Sequence, residues 1–181
     1  MGLVLAVCGM PASGKGEFAT VLSNSGVPVC SMGDMIRSEV IAREIEESPR
    51  VFGEVAAELR AQHGDGVLAS RLVEVVNELL TENNIVLIEG MRGSAERDIF
   101  QLTWGDDFQV VAIVADTETR FARIQSRGRS QDGNRTDFEI RNQREEGWGL
   151  DKLIVEAEHK FSNNGELTTL IDNVSNWFDG L

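Results

Sequence analysis

A glycine-rich turn near the start of the chain has the residue types and spacing that bind a polyphosphate. It reads GMPASGKG from Gly9 to Gly16, with two glycines separated by four residues and followed at once by Lys15. In such a loop, successive backbone N–H groups point toward phosphate oxygens, and the lysine neutralises the β- and γ-phosphates. Lys15 is predicted to be catalytic, and the residues predicted to bind the nucleotide are Gly9, Met10, Pro11, Ala12, Ser13, Gly14, Lys15, Gly16 and Glu17.

The segments on either side of this turn distinguish a phosphate loop from an ordinary strand-to-helix turn. Leu3 to Cys8 is a continuously apolar run, typical of a central strand in a parallel sheet, and a helical stretch begins at Glu17. A phosphate loop requires this context. Gly16 departs from the pattern, because a serine or threonine that binds Mg²⁺ usually follows the lysine. We therefore expect carboxylates elsewhere, Asp34 and Glu89, to hold Mg²⁺ through water.

Three further polar residues follow predicted strands, at the edge of the sheet where α/β proteins bind ligands. Asp34 comes just after the strand predicted at 27–31. It is either the N-cap of the next helix or a catalytic carboxylate facing Mg²⁺ and the acceptor. Arg37, one helical turn later, is either a phosphate clamp or part of a surface ion pair. Glu89 ends the third strand, where an acid commonly holds a water of magnesium.

An unusual concentration of arginine follows the fourth predicted strand. In a chain with 30 acidic and 17 basic residues, five arginines lie within sixteen positions, namely Arg120, Arg123, Arg127, Arg129 and Arg135. Arg123 and Arg127 share a helix face and are predicted catalytic residues that stabilise charge on the transferred group. Together with Arg129, which is predicted to bind the nucleotide, they would form a lid over the site. Arg141 and Arg144 are candidates to extend this lid. The alternative is a solvated helix face.

The alternation of apolar runs and helical stretches predicts a single α/β domain over residues 1–181, with five parallel strands and helices on both faces. Strands are expected at 3–8, 27–31, 85–88, 108–115 and 159–162. Helices are expected from 17 and at 34–47, 50–63, 66–82, 95–103, 117–127, 136–146, 150–157 and 166–178. Residues 33–82 would form a helical acceptor-binding insertion, and residues about 127–148 would form a short lid.

Composition excludes several classes of partner. The net charge is −13, and a strongly acidic chain lacks the basic face that duplex nucleic acid requires. With three lysines among its 17 basic residues, the chain fits either a halophilic source or a codon bias toward arginine. No apolar run approaches a membrane span, and the start lacks a basic leader, so we expect a cytoplasmic protein. Cys8 and Cys30 are expected to be buried, reduced thiols.

Several of these motifs resemble those of known phosphotransferases. SMGDMIR, from Ser31 to Arg37, resembles the S-T-G-D-x-x-R motif of adenylate kinases, in which glycine also follows the loop lysine. The whole chain is similar to an uncharacterised archaeal family of adenylate-kinase-related P-loop proteins. That family has a G-M-P-x-S-G-K loop, an M-G-D segment, a D-G-x-R-G strand end and a short R-G-R lid. FSNNG, from Phe161 to Gly165, resembles the last strand and turn of dephospho-CoA kinases.

The resemblance implies a nucleoside-monophosphate-kinase-like P-loop fold that binds ATP and Mg²⁺. It implies transfer of the γ-phosphoryl group of ATP to a nucleotide or nucleotide-like small molecule, held between Arg37 and Arg92. Asn164 and Gly165 would then lie near the adenine. The strand end here is Glu89-Gly90-Met91-Arg92, one residue shorter than the Asp-Gly-Phe-Pro-Arg of adenylate kinases. The alternative is a slow ATPase that acts as a switch or assembly factor for a protein partner.

Overall fold

The computed structural model describes residues 2–127 and 134–181, apart from the side chains of residues 49, 50 and 127. The described residues form one five-stranded sheet in the order β2-β3-β1-β4-β5, and all its pairings are parallel. The strands are β1 (Leu3–Cys8), β2 (Val29–Ser31), β3 (Ile85–Glu89), β4 (Phe108–Val114) and β5 (His159–Ser162). The predicted fold class is confirmed, with the first strand at the centre of the sheet.

Helices connect the strands and cover both faces of the sheet. They are α1 (Lys15–Asn24), α2 (Met32–Ala42), α3 (Pro49–His63), α4 (Val67–Leu79), α5 (Ser94–Trp104), α6 (Thr117–Arg127), α7 (Arg135–Gly147), α8 (Leu150–Glu156) and α9 (Leu167–Phe178). A short 3₁₀ turn, Gly105–Asp107, precedes β4. Across residues 2–127 and 134–181, none of the helices combines the length and apolar character that crossing a bilayer demands.

Helix α2 differs most from its prediction at 34–47. Its N-cap is Ser31, whose hydroxyl accepts a hydrogen bond from the Gly33 N–H at 3.1 Å, so the interpretation of Asp34 as the N-cap is wrong. The helix ends at Ala42 because Glu44 adopts a left-handed φ of 55°. The Ile45 N–H then bonds back to the Val40 carbonyl, which is the Schellman pattern of helix termination.

Two separate apolar cores lie on the two faces of the sheet, because successive side chains of a strand point to opposite faces. Val4 and Ala6 of β1 pack toward α4 and α5, in a core that also contains Leu72 and Phe100. Leu5 of β1 packs on the other face, in the core that contains side chains of α1 and α9. Both cysteines are free and buried, as expected.

The sheet brings the ends of three strands to one edge. Val7 of β1 and Ser31 of β2 both pair with Glu89 of β3, which lies between them. The phosphate loop follows β1 directly, and α2 begins one residue after Ser31. The loop, the start of α2 and Glu89 are therefore neighbours at the carboxyl edge of the sheet.

Leu72 tests the larger core. Its side chain is fully buried, so Leu72→Ala should lower the free energy of unfolding by about 2–5 kcal/mol, from lost burial and the cavity that remains. Leu102, which is 89% exposed, is the matched control, and Leu102→Ala should change that free energy by less than ~0.5 kcal/mol. Urea denaturation followed by circular dichroism measures both. Equal effects of the two substitutions would contradict this assignment of the core.

Candidate active site

The phosphate loop has a backbone conformation that its sequence explains. Gly14 has a φ of 110° and is the N-cap of α1, a conformation that residues with a side chain rarely adopt. A Cβ at Gly14 would also collide with the side-chain amide of Asn163. Ala12 has a φ of 63°. The loop therefore keeps a tight turn that ends at the positive N-terminus of α1.

Lys15 lies across this loop. Its ammonium donates hydrogen bonds to the carbonyl oxygens of Gly9, at 2.6 Å, and Met10, at 3.1 Å. Burial lowers the pKa of Lys15 to about 8, because a buried ammonium loses its hydration. The lysine also lines a cavity beside the loop, which is described below. An anion bound in that cavity would stabilise the charged form of the lysine.

Side chains from distant parts of the chain bind the outer carbonyls of the loop. Arg120 donates to the Pro11 carbonyl at 3.2 Å, and Arg123 to the Ala12 carbonyl at 3.3 Å. The Asn163 amide donates to the Ser13 carbonyl at 2.8 Å. In a trans peptide the N–H points opposite to the carbonyl, so the bonds to the Pro11 and Ser13 carbonyls leave the N–H groups of Ala12 and Gly14 on the other side of the loop for an anion. The Ser13 N–H instead donates to the Met10 carbonyl at 3.1 Å.

Arg120 has a structural role here, although the sequence placed it among the arginines of a positively charged lid. It is buried, and it also donates to the Ala115 carbonyl at 3.1 Å and to Asn142 Oδ1 at 2.9 Å. Its guanidinium lies 5.2 Å from the centre of the Phe138 ring. Arg123 does line the cavity, and its second nitrogen donates to the Asn163 carbonyl at 2.6 Å.

A cavity of about 1100 Å³ opens beside the loop. One part of its wall is the loop itself, from Gly9 to Gly16, with Lys15. Another part is apolar and includes Ile36, Phe52, Ala56, Leu68 and Met91 from α2, α3, α4 and the segment after β3. The charged residues that line it, among those described, are Lys15, Arg60, Arg92, Arg123, Arg141, Arg144, Glu17, Glu89 and Glu145.

Glu145 of α7 was not found from the sequence. Its buried carboxylate lies 3.3 Å from Arg141 Nε and 3.6 Å from Arg92 Nη1. The spacing of Arg141 and Glu145, one helical turn apart, was the available signal for that pair. Nothing in the sequence indicated that Arg92, from the loop after β3, would join them.

Asp34 and Arg37 were expected to face the ligand, and the structure places them differently. Their side chains pair with each other at 3.1 Å and are 52% and 55% exposed, as expected for residues three apart on a helix. Arg37 also packs 5.8 Å from the centre of the Phe52 ring. Neither side chain lines the cavity as the described residues define it, whereas Arg60 of α3 and Arg144 of α7 do. This geometry matches the surface ion pair.

Other predicted nucleotide-binding residues have mixed placements. Asn164 accepts a hydrogen bond from the Asp116 N–H at 2.7 Å, and Gly165 is exposed. Within the described part of the chain, their neighbour Asn163 lines the cavity and they do not. Arg127 ends α6, but its side chain, like all of Arg129, lies outside the described residues.

A magnesium site has some of its expected parts. Glu89 lines the cavity beside the loop, and Glu17 does so from the first turn of α1. The described residues contain no group of three or more histidine, cysteine, aspartate or glutamate side chains placed to hold a metal. Mg²⁺ is usually held by one or two carboxylates together with water and substrate phosphates, so Glu89 fits it.

Comparisons with known proteins identify the family to which this chain belongs. A family model described as an AAA domain matches residues 8–141. A UPF0200 protein of Methanosarcina mazei is 38% identical over 172 residues, which are 94% of this chain and 91% of that protein. One from Halobacterium salinarum is 37% identical over 171 residues, 94% of this chain and 90% of its own length. The chain spans about half, 53%, of the UPF0200/UPF0201 protein of Archaeoglobus fulgidus, to which it is 37% identical over 172 residues, 94% of this chain.

Solved structures share the fold at low sequence identity. TT1252 from Thermus thermophilus superposes with a TM-score of 0.68 at 19% identity, over 99% of this chain and 98% of that one. Shikimate kinase from Aquifex aeolicus gives a TM-score of 0.56 at 14% identity, over 98% and 97%. The UPF0200 relatives confirm the family predicted from the loop, M-G-D, strand-end and lid motifs, and the solved structures show the fold. The chain belongs to the archaeal UPF0200 family and has a P-loop kinase-like fold.

Proposed function

We propose that this protein is a kinase that transfers the γ-phosphoryl group of ATP to a nucleotide or nucleotide-like small molecule and requires Mg²⁺. The main supporting observation is that one cavity of about 1100 Å³ is lined by the phosphate loop, by apolar residues of α2 and α3 and by several arginines. Pockets for one small ligand are roughly 300–1,000 Å³. The cavity is larger than the upper end of this range, which supports the proposal that it holds more than one small ligand.

The donor side is built from the loop and the residues that support it. Backbone N–H groups and the N-terminus of α1 bind the phosphates, and Lys15 exchanges its carbonyl partners for phosphate oxygens. Arg123 lines the cavity beside Ala12 and Asn163, where its charge stabilises the group in transfer. Arg127 and Arg129 remain proposed lid residues, and Asn164 and Gly165 remain proposed neighbours of the base.

The acceptor side combines an apolar wall with positive charge. Ile36 and Phe52, which are partly exposed, offer a surface for a flat, weakly polar group, while Arg60 and Arg92 offer partners for an anion. A nucleoside monophosphate has both chemical features. Its phosphate has a second pKa near 6, so it attacks as an anion and needs no general base.

In this proposal, Mg²⁺ would be held between the donor side and the acceptor side of the cavity. Glu89 is the better placed of the two predicted carboxylates, because it lines the cavity, whereas Asp34 would have to leave Arg37 to reach it. Bound there through water, Mg²⁺ supplies positive charge to the phosphate oxygens. The lid excludes water, so that transfer is faster than hydrolysis.

The direct test uses labelled ATP with Mg²⁺ and a panel of nucleoside monophosphates, dephospho-CoA and shikimate. We expect label to move to a nucleoside monophosphate, and Lys15→Ala to abolish this transfer while the circular dichroism spectrum stays unchanged. Release of inorganic phosphate with no acceptor labelled would instead support the slow ATPase. Near-normal transfer by Lys15→Ala would contradict the site.

The pKa of Lys15 predicts how ATP binding depends on pH. In the free protein its pKa is lowered to about 8, and bound phosphate favours the charged form, so the pKa rises in the complex. ATP affinity should then be nearly constant below pH 8 and fall by up to about tenfold per unit above it. Calorimetric titration between pH 7.5 and 9.5 measures this. Lys15→Arg, which stays charged, should give a flat profile. A flat profile for the unmodified protein would refute the prediction.

Arg123 tests the stabilisation of the transferred group. Arg123→Ala should lower kcat by ~10²-fold or more and ATP affinity by much less, because charge on the transferred group develops in the transition state. Arg97→Ala is the matched control, since Arg97 pairs with Glu156, with 3.1 Å between Nη1 and Oε2, and is not among the residues that line the cavity. Steady-state kinetics and direct ATP titration separate the two effects. An unchanged kcat would assign Arg123 to supporting the loop alone.

A further inference from the structure

A buried carboxylate joins two arginines from different parts of the chain at the wall of the cavity. Glu145 comes from α7, as does Arg141, while Arg92 comes from the segment between β3 and α5. The Glu145 Oε1 atom lies 3.3 Å from Arg141 Nε and 3.6 Å from Arg92 Nη1. All three residues line the cavity, so α7 and the end of β3 meet there through this cluster.

The burial of Glu145 indicates that its carboxylate is stabilised by its ion pairs with the two arginines. Its side chain is 4% exposed, and a buried carboxylate destabilises a protein unless it is paired. Two guanidinium groups brought together also repel each other, and a carboxylate between them offsets that repulsion. The next residue on α7, Glu146, has the same charge and is exposed. The buried position thus depends on the two ion pairs.

The two arginines keep donors for a ligand. A guanidinium has five N–H donors, and Glu145 is hydrogen-bonded to Arg141 through Nε, which leaves both terminal nitrogens of Arg141. The side chains of Arg92 and Arg141 are 44% and 32% exposed, whereas that of Glu145 is 4% exposed, so the arginines present most of the accessible surface of the cluster. Paired guanidinium donors suit the oxygens of a phosphate group.

This cluster and the lysine of the loop line the same cavity. Their charges influence one another there, because the charge of Glu145 raises the pKa of Lys15 and the charges of Arg92 and Arg141 lower it, after the larger lowering by burial. A phosphate group held by the two arginines would therefore share this cavity with the phosphate that Lys15 binds.

We propose that Glu145 is a positioning residue that holds Arg92 and Arg141 together as one binding fork for the phosphate of the acceptor, beside the γ-phosphate of the donor. The inference rests on the proposed function, because the fork would bind the phosphate of an acceptor, and only a kinase for a phosphorylated acceptor needs such a site. Glu145 does not touch the substrate in this arrangement. It determines where the two guanidinium groups are held.

Two probes separate the sites, and neither requires the acceptor to be known. ATP has three phosphates, whereas adenosine 5′-tetraphosphate carries a fourth that extends beyond the γ position. With Mg²⁺ present, the unmodified protein should bind the tetraphosphate more tightly than ATP. Glu145→Gln should weaken tetraphosphate binding by about 10- to 100-fold, on the scale of a lost charge-assisted contact, and ATP binding by less than about threefold. Glu146→Gln, the neighbouring exposed control, should change neither.

Each outcome has a distinct meaning. If the unmodified protein binds ATP and the tetraphosphate equally, this inference is overturned, and the transfer of label from ATP decides separately whether the proposed function stands. If the unmodified protein prefers the tetraphosphate and Glu145→Gln keeps that preference, the inference is overturned and the proposed function stands. Equal losses for both probes, or a large fall in Tm with the preference intact, would mean that Glu145 only stabilises the fold.

The partly exposed arginines provide a second test that does not depend on the folding of Glu145→Gln. Since the fork acts as a unit, Arg92→Gln and Arg141→Gln should each abolish most of the tetraphosphate preference, and the double variant should lose little more than either. Additive losses would show that the two arginines act separately and would overturn the inference.

Discussion

The hydrogen bonds that the phosphate loop accepts are the constraint on which the rest of the site depends. Carbonyls of Gly9, Pro11, Ala12 and Ser13 accept bonds from Lys15, Arg120, Arg123 and Asn163. Three of these donors lie more than a hundred residues away along the chain. The shape of the loop therefore depends on contacts that exist in the folded domain, from α6 and from the turn that follows β5. The glycines allow this backbone conformation, and the distant donors select it.

Much of the fold could be predicted from the sequence, because its signals are local. Leu3 to Cys8 is apolar throughout, as a strand covered on both faces must be, and Leu68, Leu72 and Val76 repeat at helical spacing and are buried. The predicted end of helix α2 was too late. The left-handed residue that follows the helix is Glu44, whereas this position is usually a glycine that can be recognised in the sequence.

The site was predicted less completely, for a physical reason. The phosphate loop is one continuous segment, so its spacing could be recognised. Arg92 was predicted from its strand-end motif, but Arg60 and Glu145 come from two other elements, and only tertiary packing brings them to the same cavity. Residue type also could not show that Arg120 and Arg123, which are three positions apart on α6, have different roles. One is buried against Phe138 and the other lines the cavity.

Arg120 has a consequence for how the two sides of the protein respond to each other. One guanidinium donates both to the Pro11 carbonyl of the loop and to Asn142 of α7. The same nitrogen of Arg120 makes both bonds, so a displacement of α7 would also disturb the support of the loop. Because α7 carries Arg141, Arg144 and Glu145 to the cavity, two parts of the cavity wall depend on one buried guanidinium that, among the described residues, does not itself line the cavity.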